Sequence, residues 1–451
     1  MSDLLAARAQ MAMSLGFHIL FAVAGMAMPL LMVIAEWRWL KHGDEEALEL
    51  AKRWSKGTAI LFAVGAVSGT ALSFELGLLW PEFMRHAGPV IGMPFSLEGF
   101  AFFLEAIFLG LFLYGWKRLP PRVHWLSGLG VWIMGMTSGA FVVCANAWMN
   151  TPTGFDLQAG EVVAVRPWEA MFNPAAFSEV LHMLIAALES VGIAVAGIHA
   201  WALLKNPRSR LHRMAFGIAL VVGGGAAVVQ PFSGHISADH VAHHQPVKLA
   251  AMEGHFHTAK GAAFHIGGWP DVQAEEVHGS IEVPYLLSIL AFSDPSAEVR
   301  GLTDFPRKDW PPVPVVHVAF QIMIGIGSLL AAVALLFAML AWRRKALPTD
   351  PWLLRVAVAC GPLGLIALEA GWTVTEVGRQ PWIVRGFLRT ADAVTPMPGL
   401  IIPFLTFSAL YLLLGIVSLA LLKRHVFAST ATSDDEHSTK PDTPGGSHGV
   451  A

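Results

Sequence analysis

The chain has 451 residues, of which 55% are hydrophobic and only 14% charged, with a formal net charge of −3. A soluble protein carries about a quarter charged residues, so a soluble enzyme is excluded, and nothing in the charge balance points to nucleic acid. The two cysteines, Cys144 and Cys360, both lie in apolar runs, which excludes a disulfide framework.

The apolar residues fall in runs long enough to cross a bilayer as helices. The chain therefore reads as an all-α integral membrane protein, a bundle of about nine transmembrane helices with one large outward-facing loop. The first run, residues 11–35, holds no charge and is too long for a signal-peptide core, so it is a retained span. The expected spans are 11–36, 57–80, 95–116, 125–148, 177–204 and 214–234, then 315–342, 352–376 and 398–422. This divides the chain into helices 1–6 within 1–234, an extramembrane loop at 235–314, and helices 7–9 within 315–425. A Ser-, Thr-, Asp- and Pro-rich tail, 426–451, has the composition of disorder.

Lysine and arginine concentrate in the loops after spans 1, 3, 5 and 7. The loop after span 8 is an exception, with Arg379, Arg385 and Arg389. By the positive-inside rule the N-terminus and the 235–314 loop face outward and the C-terminus faces the cytoplasm.

Ionisable side chains inside a bilayer are costly and are functional candidates by default. Here they are His18, Glu75, Glu98, Glu105, His182, Glu189, His199, Glu369 and Glu376, with Met323 as a soft ligand. His18, His182, Met323 and Glu376 lie on four different spans at similar depth, within about 10–12 Å of the outer face at ~1.5 Å per residue. Haem iron accepts His and Met axial ligands. From the residues alone, each reads either as a haem ligand or as a packing residue. In "SLEGFAFFLEA", Glu98 and Glu105 are nearly two turns apart and share a face. They read either as a proton relay or as a neutralised buried pair. Glu376 and Arg379, at the end of "GWTVTEVGRQPW", suit a charged cofactor, since arginine's planar fork pairs with carboxylates. An ordinary helix end is the alternative. The histidines of the loop (His235, His240, His243, His244, His255, His257, His265) lack paired zinc-ligand spacing and suit surface or ligand-site roles rather than metal.

"FHILF", "EGFAFFLEA", "VKLAAMEG", "FQIMIG" and "GWTVTEVGRQPW", in this chain order, resemble subunit I of the cytochrome bd-type quinol oxidases, in particular their short-loop, cyanide-insensitive branch. The resemblance implies an electrogenic quinol:O2 oxidoreductase that oxidises quinol at the periplasmic side and reduces oxygen to water without pumping. It implies His182 and Met323 as ligands of a low-spin haem b. His18 and Glu376 are implied as ligands of two high-spin haems, one b and the other d or a further b. Glu98 and Glu105 match its proton path, with Ser138 and Asn146 lining it. Trp372 and Arg379 match residues beside the haems, and Lys248 and Glu253 the quinol site. Implied partners are subunit II, a small single-span subunit, ubiquinol or another quinol, O2 and the lipid bilayer. The chain departs from many members at Gln321, where they carry arginine.

Two rival classes are an ion-coupled transporter built on Glu98, Glu105 and Glu369, and a dihaem b anchor for another quinone-linked enzyme. A transporter is expected to show internal repeats, and no convincing repeat is evident in the chain. A dihaem anchor wants paired histidines on shared helices, and this chain offers single ones.

Overall fold

The computed structural model describes residues 1–427; the expected disordered tail lies almost wholly outside them. The fold is all-helical in its membrane part. Four long helices open the chain: α1 Asp3–His42, α2 Glu45–Leu79, α3 Pro81–Gly115 and α4 Pro121–Asn150. The short α5 (Pro167–Met171) precedes α6 (Ala176–Lys205) and α7 (Arg210–His244). Two further short helices, α8 (Pro246–Glu253) and α9 (Leu286–Phe292), belong to the large loop, which ends where α10 (Val313–Arg344) begins. Helices α11 (Pro351–Cys360) and α12 (Leu363–Val377) form one broken span, and a short α13 (Thr390–Ala393) leads into α14 (Ile401–Leu422). Among the described residues, nine helical segments are long and apolar enough to cross a membrane, counting α11 and α12 together.

The helices outrun the expected spans. α3 starts at Pro81 rather than near 95, with proline at the first helical position where its missing N–H costs nothing. α7 runs through His244, so the large loop begins at Gln245 and not at 235. His235, His240, His243 and His244 are therefore helical. Only before Pro246 does the backbone leave the helix (Gln245 φ −134°, ψ 53°), as steric clash with a following proline demands.

The loop carries small antiparallel ribbons that the apolar pattern does not reveal. β3 (Ala259–Lys260) pairs with β8 (Glu298–Val299), β4 (Phe264–Ile266) with β7 (Ile281–Val283), and β5 (Trp269–Asp271) with β6 (Glu276–His278). Outside it, β1 (Asp156–Gln158) pairs with β2 (Glu161–Val163), and β9 (Trp382–Val384) with β10 (Leu388–Arg389). The loop, the N-terminus and the 378–400 segment meet at one end of the bundle, here termed the loop end. There Asp3 accepts from the backbone N–H groups of Gly399 and Leu400, and Arg385 donates to the His244 carbonyl.

Small residues bring the helices together, as in other membrane bundles, where burial from water supplies no drive between helices. A Cβ on Gly223 of α7 would lie 2.5 Å from the Ile193 nitrogen and 2.6 Å from the Gly192 carbonyl carbon of α6. Gly364 of α12 sits against Ser190, and Gly197 against Gly361 at the break in span 8. Gly223→Val is expected to destabilise by about 1–3 kcal/mol through overpacking. Gly225→Val, with nothing within 4 Å of its added Cβ, should be neutral. Thermal midpoints of the two purified variants check this; equal values would refute the close-packing account.

Candidate functional site

At the loop end, α6, α7, α10 and α12 enclose a cavity of about 810 Å³, roofed by α8 and the loop. That is the size class of cofactor sites. His182 from α6 and Met323 from α10 both line it, as do Trp372, Lys248, Glu253 and Asn146. Space for a flat ligand is built in by glycine: a Cβ on Gly371 would lie 3.1 Å from Met323 Sδ, and one on Gly234 3.5 Å from His182 Cε1. The Nδ1 of His182 is 3.0 Å from Ser233 Oγ. A His/Met donor pair in an apolar cavity of this volume fits a low-spin haem.

His18 does not line this cavity. It sits on α1 against α2, with Nδ1 3.0 Å from Ser68 Oγ, and a Cβ on Gly69 would come within 2.8 Å of its ring.

Glu376 and Arg379 form the ion pair that their spacing suggests. They lie one helical turn apart, with Arg379 Nη2 2.6 Å from Glu376 Oε2 and the Arg379 side chain only 2% exposed. The other carboxylate oxygen, Oε1, accepts from Asn146. Arg379 Nε and Nη1 are buried with no hydrogen-bond partner. Unfilled donors on a buried guanidinium are costly, and an added anionic acceptor such as a haem propionate oxygen would satisfy one of them with a charge-assisted hydrogen bond.

Lys248 and Glu253 both lie on α8 and are buried. Lys248 Nζ donates to Asn150 Oδ1 at 2.6 Å. Burial pulls the ammonium below its ordinary range, opposed mainly by Glu179. Glu253 Oε2 has no partner, and burial pushes its carboxyl up to about 8.

Glu98 and Glu105 face α4 from α3. Ser138 Oγ donates to Glu98 Oε1 at 3.3 Å. Glu105 is buried where Gly25 and Gly135 make room; a Cβ on Gly135 would fall 3.1 Å from its Oε1. Two turns further along α3, the Phe112 carbonyl accepts from His124 Nε2 at 2.8 Å, and His124 Nδ1 meets Glu36 Oε1 at 2.7 Å. The apolar runs pass over this buried pair because Glu36 closes span 1 and His124 falls just before span 4. The signal for it is that both helices outlast their apolar runs. Glu179, which also lines the cavity, is likewise missed; it lies one turn before His182.

The remaining intramembrane candidates disperse. Glu75 accepts from Ser14 at 2.8 Å and from Tyr411 at 3.4 Å. Glu189 lines the cavity, Glu369 Oε2 faces Gly16, and His199 Nδ1 meets His212 Nδ1 at 2.9 Å. Of the loop histidines, His255 bonds the Val299 carbonyl and His265 bonds Ser280.

The family model for cytochrome bd terminal oxidase subunit I matches residues 6–429. The chain belongs to that family. A bd oxidase structure from Geobacillus thermodenitrificans is similar with a TM-score of 0.88 and 39% identity, covering 94% of this chain and 98% of that one. A Bacillus subtilis (strain 168) protein, named as a candidate cytochrome bd menaquinol oxidase subunit I, is 36% identical over 92% of this chain and 94% of its own. The cytochrome bd ubiquinol oxidase subunit 1 of the same organism is 33% identical over the full length of both. The chain is thus subunit I of a respiratory, haem-containing quinol:O2 oxidoreductase of a bacterial membrane, and its family implies a subunit II partner. The transporter and the dihaem-anchor readings fall with this match.

Proposed function

We propose that this subunit oxidises quinol at the loop end, taken as the periplasmic face, and draws the protons for oxygen reduction from the cytoplasmic end. The carrying observation is that His182 and Met323 line one cavity whose roof supplies Lys248 and Glu253. In this reading His182 and Met323 hold a low-spin haem b. His18 and Glu376 hold the two high-spin haems, one b and the other d or a further b. Bound haems supply the electron carriers and the oxygen-reactive iron.

The chain's own groups do the rest. Glu253, buried and short of a partner, accepts a quinol hydroxyl proton as electrons leave. Lys248 donates to the developing quinone oxygen. Arg379 pairs with a propionate while holding Glu376, and Trp372 packs at the cavity wall. Glu98 and Glu105, with Ser138 between α3 and α4, hold protons on the way to the oxygen site; Glu36 and His124 extend the polar line towards the opposite end. Protons released at one face and consumed from the other make turnover electrogenic without a pump. Subunit II, and a small single-span subunit beside it, complete the oxidase. The quinol is ubiquinol or another quinol.

Glu105→Gln keeps the shape and loses the exchangeable proton. In the complete oxidase reconstituted in liposomes, it is expected to slow quinol-driven oxygen consumption and potential formation by about 10²-fold, with haem spectra unchanged. Full turnover in this variant removes Glu105 from the path.

A further inference from the structure

The two histidines assigned to different haems are held by the same device. His18 of α1 and His182 of α6 begin near-identical stretches, HILFA and HMLIA. Each meets a serine on the returning helix, 50 and 51 residues later, at 3.0 Å from Nδ1 in both cases. A glycine follows each serine, Gly69 and Gly234, and each packs on the histidine ring. The helix pairs α1–α2 and α6–α7 thus carry an internal repeat that the sequence reading passes over.

The hydrogen-bond inventory then supports one placement of the proton. A serine hydroxyl has one hydrogen and two lone pairs. Ser68 Oγ lies 3.0 Å from the Gly65 carbonyl and Ser233 Oγ 2.9 Å from the Gln230 carbonyl, three residues back along the helix. A carbonyl can only accept, so each hydroxyl hydrogen has an acceptor away from the ring; Ser233 has a second in Gln230 Oε1 at 3.4 Å, and the Gly65 carbonyl also accepts from the His18 ring. With the hydroxyl hydrogen so placed, the contact to histidine runs the other way, from Nδ1–H to the serine oxygen. That leaves the lone pair on Nε2, the atom free to ligate iron. For His182, Gln230 Nε2 lies 3.2 Å from Nδ1 and 3.3 Å from ring Nε2, and also 3.2 Å from the His182 carbonyl. An atom equidistant from both ring nitrogens at that range would collide with Cε1 if it lay in the ring plane. It lies over the ring face, where it reaches neither in-plane lone pair.

We infer that Ser68 and Ser233 are a duplicated pair of positioning residues, each accepting Nδ1–H from a haem-ligating histidine and so fixing its tautomer, its orientation and its donor strength. This rests on the ligand assignment made above. An acceptor behind Nδ1 raises ligand basicity, which favours ferric over ferrous iron. Removing it should therefore raise the midpoint potential of that haem alone.

The test uses the complete oxidase and redox titration followed optically, with haem content measured alongside. Ser233→Ala is expected to shift the low-spin haem upward and leave the others in place. Ser68→Ala should shift one high-spin haem only. A tenfold change in ferric-to-ferrous preference corresponds to 59 mV for one electron. Thr at either position keeps the hydroxyl and should restore the native value. Cys, a weaker acceptor, should give an intermediate shift, and it serves if the alanine chain does not assemble. His182→Ala and His18→Ala are run beside them. If these lose their haems while every serine variant titrates like the native protein, the positioning role is wrong and the ligand assignment stands. If the histidine variants keep all haems, the ligand assignment fails and this inference with it.

Discussion

His182→Ala leaves an oxidase without its low-spin haem spectrum and with quinol-driven oxygen consumption reduced by at least about 100-fold. The magnitude is set from below: substituting groups behind a metal ligand already costs about 10–100-fold, and here the ligand itself is removed. The other imidazoles lining the cavity, His235 and His240, stand on α7 rather than on the turn of α6 that carries His182, Gln230 is a poor iron donor, and Glu189 lies two turns deeper on α6. Met323→Leu preserves volume and polarity and should convert the same haem to a high-spin form without emptying the cavity. Reduced-minus-oxidised spectra and oxygen-electrode rates on the purified two-subunit enzyme check both. A native low-spin band in His182→Ala would remove this histidine from the iron.

The second large effect concerns Glu253. Its carboxyl is raised to about 8 by burial. It is therefore mainly protonated below that pH and unable to accept a proton. By simple titration roughly 1% is ionised two units below this value and half at it. Where quinol oxidation limits turnover, the rate should climb with pH from about 6 and level off above about 8. Glu253→Gln should lower the rate by about 10²–10⁴-fold and flatten the profile. A glutamine variant that retains the native slope would show that the titrating group lies elsewhere.

How much of this was readable beforehand differs by residue. The spans were legible because a bilayer demands about twenty apolar residues in a row. Their true ends were not, because a helix leaving the membrane continues on polar residues until a turn signal stops it. Thus α7 carries four of the expected loop histidines before Gln245 and Pro246 end it. His18, His182 and Glu376 stood out as polar groups in apolar runs and Met323 as a soft ligand at the same depth, whereas Lys248 and Glu253 came forward only through family resemblance. Ser68 and Ser233 gave no signal at all. A serine in a helix is ordinary, and its meaning arises when α2 is laid on α1 and α7 on α6. The Glu36–His124 pair was hidden for the opposite reason: each residue sits where the hydropathy boundary was drawn.

Gln321 gives a last consequence. Its amide donates to the His265 carbonyl and its oxygen accepts from the Gly267 N–H, at 2.8 and 2.9 Å. Only one orientation of the amide satisfies both, so this side chain clasps the β4 end of the loop to α10, half a turn before Met323. Loop and helix are thereby joined beside Met323. If Met323 holds a haem and quinol binds under the loop, as proposed, quinol occupancy is expected to shift the absorption of that haem.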